Sequence, residues 1–237
     1  QAQTEGRGAE ALTLAEQALV MGQASGQPDA WTWYAGQLTT VYRERGRVGE
    51  LRDAIEQEVT PHPGLPAWEI VLAEAMCAVG RTEEARTILL RFVDVETGVI
   101  HVPEDVLWSF SAASLAGVAI TLDEQAVLAV LYDAMLPFRH RTIHGGVVFF
   151  GSAEHHLGGI AAALGRDEEA LVHFERAIAD HERLGARFFL GLTHAALAAL
   201  LSRRGDPADA DRVRTSVALA RELADETGGA SILNRLP

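Results

Sequence analysis

The stretch FRHRTIHGGVVFFGSAEHH, residues 138–156, gathers the side chains of this chain that could do chemistry. His140 and His144 are four residues apart, a spacing that on a helix puts two imidazoles on one face, as metal ligands need. His155 and His156 follow, so a metal-assisted enzyme using the histidines around 140–156 is the first function to weigh. Pro137 before the first pair and Gly145–Gly146 after it argue against a helix there. The adjacent pair would point about 100° apart on a helix, so both would rarely hold one metal. No HExxH and no Cys pair supports the idea. Helix-start contacts and loop packing are the expected roles, with no metal ligand and no catalytic residue assigned. A different chemistry remains open for Arg139, Arg141, His144, Gly145 and Gly146. Guanidinium groups beside exposed backbone amides suit a carboxylate or phosphate, which makes this a candidate ligand loop. The plain alternative is ion pairing with nearby carboxylates.

Elsewhere the chemical signals are weaker. Glu169 and His173 are four apart on an expected helix with His181 two turns on, a pattern that reads as a solvated contact on a helix face. Trp31, Trp33, Trp68 and Trp108 fall near helix starts and read as core packing, with one of the first two left exposed because they are two apart. Cys77, inside AEAMCAVG, reads as a small buried hydrophobe. Ser152 has no strand-turn-helix context and GxSxG is absent. The chain contains no Lys, which removes Schiff-base chemistry and the lysine of a phosphate loop.

Those residues need elements to hold them, and composition bounds what these are. With 237 residues the chain can bury an extended core, and 48% apolar residues, rich in Ala and Leu, favour helices. A net charge of −13 argues against a phosphate-backbone partner. No apolar run reaches a bilayer-spanning length and no signal peptide is visible, so no membrane partner is expected. One cysteine fits a reducing compartment, and the expected location is cytoplasmic. The chain begins at Gln1, which suggests a piece of a longer protein.

Turn signals recur, each followed by an acidic, Ala-containing helix start: EGRGAEA, RGRVGEL, VGRTEEA, LGRDEEA and RGDPADA, with a degenerate ITLDEQA. Their turn positions, Gly6, Gly46, Gly80, Thr121, Gly165 and Gly205, are separated by 40, 34, 41, 44 and 40 residues. Periods of this length indicate stacked helical hairpins. Eleven helices are expected, at 7–23, 28–45, 48–58, 66–79, 82–95, 104–119, 123–135, 152–164, 167–184, 187–204 and 207–226. The first has the character of a hairpin's second helix without its partner, which suggests that the array continues upstream. Residues 136–151 read as a long irregular connector and a soft division of one array spanning 1–226. Residues 227–237 read as a tail or linker.

The spacing of Leu157, Gly158, Ala161, Gly165, Ala170, Phe174 and Ala177 resembles the tetratricopeptide signature. Leu72, Ala73, Met76, Ala85, Leu89 and Phe92 form a similar copy; Leu38, Tyr42, Leu51 and Ile55 form a weaker one. In the last copy Arg214 stands where a large apolar residue is expected. The implied fold is an all-α, right-handed superhelix of tetratricopeptide-like hairpins whose first helices line a concave surface.

Longer strings carry a finer resemblance. YRERGRVGEL, PAWEIVLAEAMCAVGRTEEAR, PEDVLWSFSAASLAGVA, LYDAMLPF and the run from Gly151 to Arg187 resemble the C-terminal helical region of large bacterial, mostly actinobacterial, regulators. These are LuxR-type transcription regulators and class III nucleotidyl cyclases that share a STAND-type ATPase. The resemblance implies a non-catalytic sensing and protein-interaction arm, without cofactor, that binds a peptide, a protein or a small effector and serves an attached ATPase. No phosphate loop, cyclase pattern or basic recognition helix occurs in these residues. A structural oligomerisation arm is the remaining alternative.

Overall fold

Asp167, Glu168 and Glu169 fill the first turn of the helix they open, where carboxylates face the positive end of its dipole. His181 and Arg183 occupy its last turn, and Gly185, at φ +64°, ends it in the left-handed conformation. Between these ends Ala170, Phe174, Ala177 and His181 form a buried stripe at helical spacing. The same combination of turn and stripe builds the whole molecule. The computed structural model describes residues 1–59 and 64–237.

Twelve α-helices occur among the described residues. They are α1 (Gly8–Ala24), α2 (Ala30–Glu44), α3 (Arg52–Val59), α4 (Pro66–Ala78), α5 (Thr82–Phe92) and α6 (Trp108–Leu122), followed by α7 (Gln125–Met135), α8 (Ala153–Ala163), α9 (Asp167–Leu184), α10 (Arg187–Arg204), α11 (Ala210–Thr227) and α12 (Ala230–Leu233). None is long and apolar enough to cross a membrane. The pairs α4/α5, α6/α7, α8/α9 and α10/α11 are antiparallel neighbours joined by short turns, and α4 packs on α6 and α6 on α8. One apolar cluster runs through the array from Ala35 to Ile232. The all-α expectation and the eleven helices hold, with shifted ends. In the degenerate copy the left-handed residue is Asp123, at φ 57°, two positions beyond the expected Thr121, which stays inside α6. Arg214 is exposed, and half-buried Val213 packs against the core instead.

Three segments differ from expectation. The helix placed at 82–95 stops at Phe92, because β1 (Val93–Asp94) pairs antiparallel with β2 (Val99–Ile100). The connector expected to be irregular is a 3-10 turn at Leu136–Phe138 and then a hairpin of β3 (Thr142–Gly145) and β4 (Val148–Ser152). Its sequence explains this, since Val147, Val148, Phe149 and Phe150 are β-branched or aromatic and all of β4 is buried. The glycines at its tip permit close packing: a Cβ at Gly145 would lie 2.8 Å from the Phe110 ring and one at Gly146 2.7 Å from the Trp33 ring.

The third difference is the tail. Gly228 ends α11 at φ +65°, and α12 turns back so that Ile232 is fully buried. There Ser231 Oγ donates to the Glu44 carbonyl at 2.7 Å, joining the last helix to α2. At the other end of the chain the Gln3 side-chain amide brackets Phe149, donating to its carbonyl and accepting from its N–H, both at 3.2 Å. The last elements of the array therefore meet the first, and the concave side becomes a bore.

Candidate functional site

The bore has a volume of about 450 Å³ and is lined by the first helix of each hairpin, α2, α4, α6, α8 and α10, with β4 and the segment around α12. Helix α6 contributes small residues there, Ala113, Ala116 and Gly117. A Cβ built at Gly117 meets nothing within 4 Å, so this wall faces open space. Opposite polarity comes from a few converging side chains in a mostly apolar surround, the usual make-up of a small-molecule cavity.

Arg43 and Glu74, 31 residues apart and so about one repeat, pair on the bore wall with Arg43 Nη2 2.7 Å and Nε 2.8 Å from Glu74 Oε2. The Arg43 guanidinium also lies 4.9 Å from the Phe150 ring centre, a cation–π contact that fixes its plane. His156 stacks on Phe150 and donates from Nε2 to the Phe150 carbonyl at 2.8 Å. Burial pushes its pKa down to about 4, so the ring is neutral near pH 7.

Two groups in the bore are not fully met among the described residues. Arg235 is open to solvent there, and no described residue accepts a hydrogen bond or ion pair from its guanidinium. The surrounding protein displaces enough water to push its pKa down, with Glu74 pulling the other way. Glu44 is 6% exposed and its Oε1 has no hydrogen-bond partner. Burial pushes its carboxyl up to about 7, partly offset by the Gln3 amide and by Arg43 and Arg45.

Behind the bore wall lies a polar network that the sequence reading placed in solvent. His181 is fully buried, and its Nε2 accepts from the Ser152 N–H at 2.9 Å. Thr193 Oγ1 donates to the Phe189 carbonyl at 2.8 Å, so its lone pairs accept from His181 Nδ1 at 3.2 Å and His155 Nδ1 at 2.9 Å. Both rings are thereby held neutral in defined tautomers. A second chain joins Glu154, His173, Tyr132 and Glu169. His173 Nδ1 bonds the Glu154 carboxylate, its Nε2 lies 3.0 Å from the Tyr132 hydroxyl, and that hydroxyl donates to Glu169 at 2.9 Å. Glu154 is 1% exposed. The expected solvated contact between Glu169 and His173 is corrected: the stripe of α9 faces α8, and Tyr132 of α7 bridges the two residues.

A pH dependence follows with opposing signs. Burial holds His181 down at about 3 and His156 at about 4, so their stabilisation is complete above pH 6.5 and is lost as the pH falls. Glu44, raised to about 7, stabilises below its unfolded value of 4.5 and loses that contribution as the pH rises through 7. The histidines outweigh one carboxyl, so stability against urea falls by about 2–4 kcal/mol from pH 6.5 to 5. Glu44→Gln should steepen the fall below pH 6.5, because protonation of Glu44 offsets part of it. An unfolding midpoint that rises on acidification to pH 5 would contradict the assignment.

The residues of the candidate ligand loop are not gathered at one point. Arg139 donates to the Leu136 carbonyl at 3.4 Å, and Arg141 lies over the Phe138 ring at the base of the hairpin. Gly145 and Gly146 are at its tip against Phe110 and Trp33. His144 is exposed, with Nε2 3.2 Å from Thr142 Oγ1. His140 is also exposed, 4.0 Å from Glu154 Oε1, while His155 and His156 bond Thr193 and the Phe150 carbonyl. Among the described residues no group of three or more His, Cys, Asp or Glu side chains could hold a metal ion.

Trp68 is buried and Trp108 meets Phe138 at a tilt, but Trp31 and Trp33 are both nearly half exposed, where one inward ring was expected. Cys77 is half-buried on the bore wall.

Sequence reasoning missed the bore residues Arg43, Glu44, Glu74 and Arg235. The first three could have been found from the repeat phase, because they lie on the last turns of first helices. Arg235 had no signal, since it lies in the segment taken for a tail.

Comparison with known proteins agrees with this geometry. A tetratricopeptide repeat profile matches residues 155–184, which are α8 from His155 and all of α9. No curated protein and no solved structure gives a match. The chain is an all-α, tetratricopeptide-like helical repeat, and this repeat type points to a role in protein interaction.

Proposed function

We propose that the chain is a non-catalytic sensing and protein-interaction arm of a larger bacterial signalling ATPase, acting in transcription regulation or cyclic-nucleotide signalling. The observation that carries the sensing role is the bore itself. Five first helices converge on about 450 Å³ of space that holds the exposed Arg235 guanidinium, which no described residue meets, and the buried Glu44 Oε1, which has no hydrogen-bond partner. A buried, unmet carboxyl oxygen is expensive to keep inside a protein unless a ligand or water meets it. An effector in the bore would favour the closed array and so shift the population of the attached ATPase. The ATPase context rests on the sequence resemblance of the strings from Tyr42 to Arg187. Leu14, Val20 and Met21, exposed along α1, also leave an apolar stripe for a neighbouring element.

The native gene tests the context. A GxxxxGK[ST] phosphate loop upstream of these residues is the expected finding, and an isolated short reading frame would overturn it. Gly117→Trp in the full-length protein tests the sensing role, because it fills the bore from an open helical position. Loss of the effector response is expected.

A further inference from the structure

We infer that the bore binds a small organic monocarboxylate, with Arg235 as its counter-charge and the Phe150–Phe189 wall holding its apolar body. The inference rests on the bore being the effector site and adds the chemical class of the ligand.

Charge matching carries the argument. The chain has 33 Asp and Glu against 20 Arg, so carboxylates are in excess. Arg43, the other guanidinium of the bore, is paired with Glu74. Arg235 nevertheless stands in the bore with no carboxylate within ion-pair distance among the described residues. A guanidinium in a partly dehydrated cavity gains most from a planar two-oxygen anion, which it can grip through two N–H groups. One unpaired cation, with Glu74 near it and a net charge of −13 on the chain, suits a single negative charge and disfavours a polyanion.

Shape supplies the rest. Phe150 and Phe189 meet edge to face, 6.1 Å between centres, on one wall. Ala113, Ala116 and Gly117 leave the facing wall open for an apolar body. Glu44, buried with Oε1 unmet, offers a second polar anchor for a hydroxyl or amide at another point of the ligand. Arg235 follows α12, whose Ser231 docks on the end of α2. A carboxylate held by Arg235 and seated on the first helices would therefore tie the two ends of the array together.

Calorimetric titration of the chain with octanoate, phenylacetate and indole-3-acetate, each beside its primary amide, tests this. One-to-one binding of at least one acid is expected, with its amide weaker by about tenfold or more. Arg235→Gln should remove the preference for the acid and Arg235→Lys should restore part of it. Gly117→Trp should abolish binding while its urea midpoint stays near the parent value. Equal binding of acid and amide, an acid preference unchanged in Arg235→Gln, or no acid binding at about 1 mM would each overturn the inference. The two readings separate cleanly. If no acid binds but Gly117→Trp still silences the full-length protein, the effector site stands and the carboxylate falls. If Gly117→Trp leaves that response intact, the effector site falls as well.

Discussion

Phe174→Ala lowers the free energy of unfolding by about 3–5 kcal/mol, and Gly158→Ala lowers it by about 1–3 kcal/mol, but the two together cost less than their sum. Phe174 is 1% exposed, so truncating it leaves a cavity between α8 and α9. That ring lies where Gly158 has no side chain: a Cβ built there would be 2.6 Å from Phe174 Cδ1 and Cε1. Helix α8 approaches α9 because one residue is absent in volume and the other large. Once the ring is gone, the new methyl has space and partly fills it. Urea denaturation of the four chains measures the coupling. Strictly additive losses would mean that the two residues do not share a contact.

His173→Leu is the second large effect, a loss of about 3–5 kcal/mol, because it leaves the Glu154 carboxylate buried without its main partner. Arg176, 3.7 Å from Glu154 Oε1 and half exposed, cannot replace a direct bond from inside the core. Removing both, as Glu154→Leu with His173→Leu, should recover most of the loss, since no unmatched charge then remains. Tyr132→Phe should cost about 1 kcal/mol, the ordinary value of one buried hydroxyl bond. If His173→Leu changes stability by less than about 0.5 kcal/mol, the pair is only the exposed helix contact that its i,i+4 spacing suggested.

That last contrast shows where sequence reasoning stops. The hairpins were readable because their signals are local: Gly165 with Asp167, Glu168 and Glu169, or Gly80 with Glu83 and Glu84, mark a helix end and the next start within a few residues. The facing of His173 and His181 was not, because polar residues inside an apolar stripe look like an interruption of it until their partners are known. Those partners are Tyr132, Glu154, Ser152 and Thr193, up to 41 residues away on other elements. Gly145–Gly146 was read for its backbone amides. Its actual use is steric, admitting Phe110 and Trp33, and nothing within the stretch itself encodes those rings. The bore demanded the longest inference of all, since Arg43 and Arg235 belong to opposite ends of the chain. Only the closure of the array through Ser231 and Gln3 makes them neighbours of one cavity.

Cys77 gives the most direct test of that cavity, because it is the chain's one thiol and lies on the bore wall. Burial, with a smaller push from Glu74, raises its pKa to about 11, so little reactive thiolate exists at pH 8. Alkylation by iodoacetamide should be about 100-fold slower in the native chain than in urea. Filling the bore with Gly117→Trp, or saturating it with a bound carboxylate, should slow the reaction further. A native rate equal to the unfolded one, or a rate indifferent to Gly117→Trp, would contradict a ligand-sized bore at the centre of this repeat.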